Sequence, residues 1–176
     1  MLRSFLLIVT LCCMSCAWAQ KGAPRSAWLP KNVDSVYKGT AYVPFGVATL
    51  DGRHINNANC KGKVVFLDFW FEGCSGCRGD FDKLNTLYDS LKNDPSYVFL
   101  SVTFDAPETI PGFLKQYNLR YPVATTTEPT VREMNYHQGF PSKAIIDKEG
   151  KIAYIGMQYF PKPEDVPAIM RRLKNK

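Results

Sequence analysis

Residues 63–81 read KVVFLDFWFEGCSGCRGDF, and the order of their parts decides how the rest of the chain is read. From Lys63 to Phe71 the run is nearly continuous in apolar and β-prone side chains, the pattern of a strand covered on both faces, as in a parallel sheet. Past the cysteines the period changes. Phe81, Leu84, Leu87, Tyr88 and Leu91 recur at three and four, one apolar face of a helix expected over 75–93 and stopped at Asp94-Pro95. Cys74-Ser75-Gly76-Cys77 therefore falls between strand and helix. By itself such a pair fits a reversible dithiol, half of a metal site or a structural bridge.

Working outward, FGVATLDGRHI (45–55) holds two short β-prone runs around Asp51-Gly52, a turn dipeptide that predicts a hairpin. Residues 96–104 (SYVFLSVTF) predict the next buried strand, 108–119 (ETIPGFLKQYNL) a short helix, 121–126 a brief strand and 128–136 a helical turn or two despite Pro129. SKAIIDKEGKIAYIG (142–156) reads as two strands about Lys148-Glu149-Gly150, and KPEDVPAIMRRLKNK as an amphipathic terminal helix. A strand-helix-strand unit followed by an antiparallel pair implies an α/β chain, a mixed sheet with helices on its faces. There are no internal repeats and no low-complexity tract.

The whole chain has 176 residues, 45% of them hydrophobic, enough for one domain with a real core and short for two. MLRSFLLIVTLCCMSCAWAQ has one basic residue, an apolar run from Phe5 to about Met14 and the trio Ala17-Trp18-Ala19, the layout of a secretory signal peptide cleaved after Ala19. The expected organisation is signal peptide 1–19, irregular lead-in 20–44 and domain 45–176, exported to the periplasm or cell envelope. The apolar run is shorter than the roughly 20 residues a membrane span needs. Lipid attachment at Cys12 or Cys16 is the alternative, and the residues ahead of both fit it poorly. Cleavage would leave Cys60, Cys74 and Cys77, an odd number in a compartment where disulfides persist. The net charge of +6 is scattered apart from a short C-terminal cluster, so nucleic-acid binding is not indicated.

A thiol attacks a disulfide only as the thiolate. At a helix N-terminus Cys74 would meet unsatisfied amides, with Arg78 a turn along adding positive charge. Cys77, about one turn further in, could attack a mixed disulfide on Cys74, so Cys74 is assigned as nucleophile and Cys77 as resolving thiol. Asp68 has only apolar neighbours, and its burial would raise the carboxyl pKa and let it take the proton of Cys77. The plainer readings of Asp68 are an outward edge position or a pairing with a lysine.

VVFLDFWFEGCSGCRGDF resembles the thioredoxin active-site signature, an acid-containing strand ending in Phe-Trp and leading into Trp-Cys-x-x-Cys-Lys/Arg. GFPSKAIIDKEGKIAYIG resembles the other half of that site, a cis-proline followed by strand, turn and strand. The exported thiol-disulfide oxidoreductases of the TlpA and ResA type, in the redoxin family, are the nearer resemblance: a leading hairpin with an Asp-Gly turn, a Gly-Lys-Val-Val lead at Gly62–Val65, the CxxC, and an insertion before the proline. It implies a thioredoxin-like three-layer α/β/α sandwich with a mixed central sheet and an inserted strand and helix. It also implies a cis bond before Pro141, with Trp70, Gly73, Phe140 and Pro141 meeting the partner. No cofactor or metal beyond a redox-active Cys74–Cys77 disulfide is implied. The partners would be protein thiols and disulfides of the envelope, an upstream electron donor and clients of the apocytochrome c type, served by a monomer acting as a reductant.

Gly73 and Gly76 depart from that pattern: Gly73 stands where tryptophan is usual, removing a large flat surface beside the nucleophile, and Gly76 where proline is frequent, leaving the loop less constrained. Glu72 would oppose thiolate formation if it pointed inward. Two rival functions remain. A copper or zinc module could draw on His54, Cys60, Cys74 and Cys77, although no second CxxC is present and a copper site would want three residues between the cysteines and a distant histidine such as His137. A peroxidase of the same fold would want a Thr-x-x before its cysteine, where this chain has Phe71-Glu72-Gly73. Cys60 is expected to be a buried structural thiol.

Overall fold

The computed structural model describes residues 33–157 and 166–176. The expected signal peptide and the first part of the lead-in lie outside them. Inside the expected lead-in, Val33–Tyr37 forms a short helix, α1, so this stretch is not irregular throughout. Strand β1 (Gly46–Thr49) and strand β2 (His54–Asn56) make the hairpin about Asp51-Gly52, where Gly52 takes φ 83° as the turn requires. Helix α2 (Asn57–Cys60) starts on a reciprocal cap between Asn56 and Asn59. Strand β3 (Val64–Phe69) is buried along its whole length, as its unbroken apolar sequence requires.

The expected helix over 75–93 is divided into α3 (Ser75–Arg78) and α4 (Phe81–Leu91). Gly79 and Asp80 separate them: the Asp80 N–H turns back to the Cys77 carbonyl three residues earlier, and the regular ladder resumes only with Leu84 N–H to Asp80. Both residues keep near-helical backbone, so the apolar spacing runs across the break and periodicity alone does not reveal it. Strand β4 (Tyr97–Thr103), helix α5 (Ile110–Tyr117), strand β5 (Val123–Thr125) and helix α6 (Glu128–Met134) follow. Thr127 caps α6 and Pro129 occupies its first turn, where a missing N–H costs nothing. Strands β6 (Ser142–Ile146) and β7 (Ile152–Met157) form the second hairpin, and α7 (Val166–Lys174) the terminal helix.

The seven strands are ordered β2-β1-β5-β4-β3-β6-β7. β3, β4 and β5 run parallel, and the flanking pairs are antiparallel. The sheet is therefore mixed, with β5 and α6 standing as strand and helix between the CxxC and Pro141. Side chains of β3 alternate between two cores. Val64 and Phe66 face α4, α5 and α7, whereas Val65, Leu67 and Phe69 face α2 and α6. This is the three-layer sandwich expected from the sequence. Fully burying each such side chain is worth about 1.5–3 kcal/mol. At the β7 edge the lead-in occupies groups that would otherwise be unpaired: Asp34 accepts the Ile155 N–H at 3.0 Å, and Ala41 bridges Lys151.

Candidate active site

Strand β3 gives way to the active loop at Trp70, whose N–H still reaches the Val102 carbonyl of β4. A tight turn follows in which the Cys74 N–H donates to the Phe71 carbonyl at 3.0 Å. Cys74 then caps α3, its Sγ accepting the Cys77 N–H at 3.2 Å. The two sulfurs are bonded, with 5.3 Å between the Cα atoms. Cys74 is 6% exposed and Cys77 only 1%, so both are buried and Cys74 is the outer of the two. Because α3 has four residues, a long helix dipole does not aim at Cys74, and the polarity there comes from the local amides.

The loop ahead of the disulfide is held from both sides. Arg78 donates to the Glu72 carbonyl at 2.7 Å and lies over the Tyr117 ring, so its guanidinium braces the loop. The Glu72 N–H donates to Asp105, and its carboxylate accepts the Thr109 hydroxyl at 2.5 Å just ahead of α5. Gly73 is not a bare gap. A Cβ built on it would stand 2.9 Å from a Phe71 ring carbon, so the Phe71 ring already fills the place expected to lack aromatic surface. Phe71 stacks on Phe104 at 5.5 Å and meets Phe140 edge-on at 5.3 Å.

The Phe140–Pro141 bond is cis, and the Pro141 ring packs on the CxxC loop, 3.3 Å from where a Gly76 Cβ would lie. Residues distant in sequence thus meet: Pro141 packs against Gly76 between the two cysteines, and Phe140 against Phe71 ahead of Gly73. Trp70 does not join them. It is 0% exposed, stacked on Phe113, with its indole N–H donated to the Ser101 hydroxyl. The expectation that Trp70 contacts a partner is corrected on that ground: it is a core side chain beneath the site.

Asp68 is 1% exposed. By the alternation of β3 it shares the face of Phe66 and Trp70, the face whose core also holds Cys77. Tyr121 donates to one carboxylate oxygen at 2.8 Å, and the Lys143 ammonium stands 3.4 Å from the other. Burial pushes the Asp68 pKa up, and the nearby ammonium and the Tyr121 hydroxyl only partly oppose it. Burial alone would pull Lys143 down, but the carboxylates of Asp68 and Asp80 outweigh it and hold the ammonium above its ordinary value. Among the residues not singled out from sequence, Lys143 carried a signal: it is the one charge in the strand run SKAII, two residues past Pro141. Asp80, Tyr121 and Phe71 had none, since their roles depend on where helices and rings turn.

The cysteine and histidine set of a metal site does not converge. Cys60 ends α2 in the core on the opposite side of the sheet from Cys74 and Cys77, and His54 is exposed on the hairpin. Burial raises the Cys60 pKa, opposed weakly by Lys63. Among the described residues there is no group of three or more His, Cys, Asp or Glu placed to hold a metal ion, and no helix long and apolar enough to cross a membrane.

Comparison with known proteins agrees with the geometry. Thiol-disulfide oxidoreductase ResA of Bacillus cereus is 33% identical over 111 residues, 61% of this chain and 62% of that protein. The chain thus spans about three fifths of that relative's length. ResA of Bacillus subtilis (strain 168) is 25% identical over 122 residues, 69% of this chain and 68% of that protein. A thiol:disulfide interchange protein from Bacteroides sp. superposes with TM-score 0.65 at 23% identity, covering 79% of this chain and 91% of that one. The thioredoxin domain of a thiol-disulfide oxidoreductase from Bacteroides vulgatus gives 0.64 at 23%, covering 78% and 98%. These structural likenesses establish a thioredoxin-like fold. A family model described as AhpC/TSA matches residues 39–155, most of the described sheet and the whole of the site, and the chain therefore belongs to the AhpC/TSA family.

Proposed function

We propose that the protein is an exported thiol-disulfide oxidoreductase that reduces disulfides of particular envelope proteins, of the apocytochrome c type, and is itself re-reduced by an upstream dithiol donor. The observation that carries this reading is the Cys74–Cys77 disulfide, Cys74 the less buried of the pair, with the cis-proline packed against Gly76 between them and Asp68 on the same face of β3. The reading of the site is supported by the relatives named thiol-disulfide oxidoreductase. Its export is supported by the signal-like residues 1–19.

In the dithiol form, the Cys74 thiolate attacks one sulfur of a client disulfide and releases the other as a thiolate. Asp68 takes the proton of Cys77, and the Cys77 thiolate then attacks the Cys74 sulfur. That step expels the second client thiolate and closes the Cys74–Cys77 disulfide. Two electrons pass to the client. Phe140, with Pro141, and the aromatic surface of Phe71 beside Gly73 receive the client segment next to Cys74. No cofactor enters these steps, and the protein acts as a monomer.

Equilibration of the protein, without residues 1–19, against dithiothreitol and glutathione mixtures tests this, with Cys74→Ser and Cys77→Ser as controls. A potential well below that of the compartment is expected, as a reductant requires. A high potential would make the protein an oxidant, and absence of cycling, with stoichiometric zinc instead, would overturn the enzyme reading.

A further inference from the structure

Inside the core on the redox face, four side chains are joined end to end. Tyr121 Oη donates to Asp68 Oδ2 at 2.8 Å, Asp68 Oδ1 lies 3.4 Å from Lys143 Nζ, and Lys143 Nζ donates to Asp80 Oδ2 at 2.8 Å. Lys143 sits directly across from Asp68 in the β3–β6 register and is 5% exposed. Its closer partner is nevertheless Asp80, whose side chain reaches solvent. Asp80 follows Cys77 by three residues, and its N–H bonds to the Cys77 carbonyl. The network therefore runs outward from the buried Tyr121 and Asp68 and surfaces at Asp80, at the end of the resolving cysteine's own helical turn.

We propose that Lys143 and Asp80 act as a pair of positioning residues that set the pH at which Asp68 exchanges its proton, Lys143 favouring the carboxylate and Asp80 weakening that hold by sharing the ammonium. This rests on the oxidoreductase reading, in which Asp68 is the base for Cys77. A carboxyl buried in an apolar core without a counter-charge stays protonated and cannot accept a proton. One facing an undivided ammonium becomes so acidic that it would return the proton at once. A base works best between these limits, and a lysine split between an inner and an outer carboxylate provides the intermediate. The groups facing Asp68 are Tyr121 ahead of β5, Lys143 from β6 and Asp80 ahead of α4, while β4 presents the uncharged Ser101 in register. The charge of Asp80 works in the assigned direction, raising the proton affinity of Asp68, and that of Lys143 lowers it.

Two readouts test the pair: a carbon-13 carboxyl NMR titration of Asp68 in the disulfide form, and the pH profile of the single-turnover resolving step with a small disulfide. Lys143→Met is expected to move both midpoints up by about one unit or more, the effect of losing an opposite charge within a few ångströms. Asp80→Asn is expected to move both down by less, because Asp80 is partly screened by solvent, and Asp80→Glu to restore the original midpoint. Should Lys143→Met fail to fold, Lys143→Gln and the surface variant Asp80→Asn carry the test. Packing alone would alter melting temperature without shifts of opposite sign. An unmoved midpoint for Asp80→Asn, or shifts in the same direction for both residues, overturns the proposal. If the wild-type dithiol does not cycle, the oxidoreductase reading falls, and the NMR titration still decides the roles of Lys143 and Asp80.

Discussion

Leu67 and Asp68 are neighbours in one strand and face opposite cores. Leu67 lies between Leu100 and Ala144 in the sheet register, whereas Asp68 lies between Ser101 and Lys143. One side of β3 is mainly apolar packing, with a small hydrogen-bonded group of Asn135, Gln138 and Ser142 at one end, and among the described residues its one thiol, Cys60, has no sulfur partner. The other side is also packed with apolar side chains but admits an acid, a lysine and the disulfide. A strand of period two thus separates what holds the fold from what does the chemistry, and each can be perturbed alone.

The largest effect expected from breaking this division is on the redox side. Asp68→Asn removes the proposed base for Cys77 and should slow the resolving step by about 10²–10⁴-fold, the usual worth of a positioned proton acceptor, with the first attack by Cys74 unchanged. Stopped-flow kinetics of the two steps separates them. The same substitution has a signed effect on stability. The folded protein holds the Asp68 proton more tightly than the unfolded chain, whose carboxyl titrates near 3.8, so the contribution of this group is fullest below that pH and is lost as pH rises through the raised value. Denaturant melts of Asp68→Asn should lack that decline. The raised pKa of Lys143 acts elsewhere, adding stability that is lost only above its ordinary 10.5.

On the packing side the expectation reverses. Leu67→Ala should cost about 2–5 kcal/mol in denaturant unfolding, the range for a leucine truncated in a closed core, while the resolving rate and its pH profile stay in place. A change in that pH profile would show that the two faces are coupled. The smallest effect belongs to Cys60→Ala, which removes a small buried thiol: exchange kinetics should match the wild type, and stability should drop by about 1 kcal/mol.

Much of this could be read from the chain before its structure. The unbroken run from Val64 to Phe69 marks a strand buried on both faces, and its position ahead of CxxC marks the site. Phe140-Pro141 could be read only through resemblance, since nothing local distinguishes a cis from a trans turn. The break at Gly79-Asp80 escaped because both residues stay near helical angles and the apolar spacing continues across them. Gly73 read as a loss of aromatic surface, because a side-chain direction such as that of Phe71 is not encoded in spacing. The pairing of Asp68 with a lysine stood among the plain alternatives, but its partner lies on β6, reached only once the sheet order is known.

The central claim is that Cys74 attacks and Cys77 resolves, and trapping tests it most directly. Cys77→Ser, without residues 1–19, is mixed with a peptide disulfide and the adduct is mapped by peptide mass spectrometry. The account requires a stable mixed disulfide on Cys74, absent from Cys74→Ser. No adduct on Cys74, or an adduct on Cys60 alone, would contradict it.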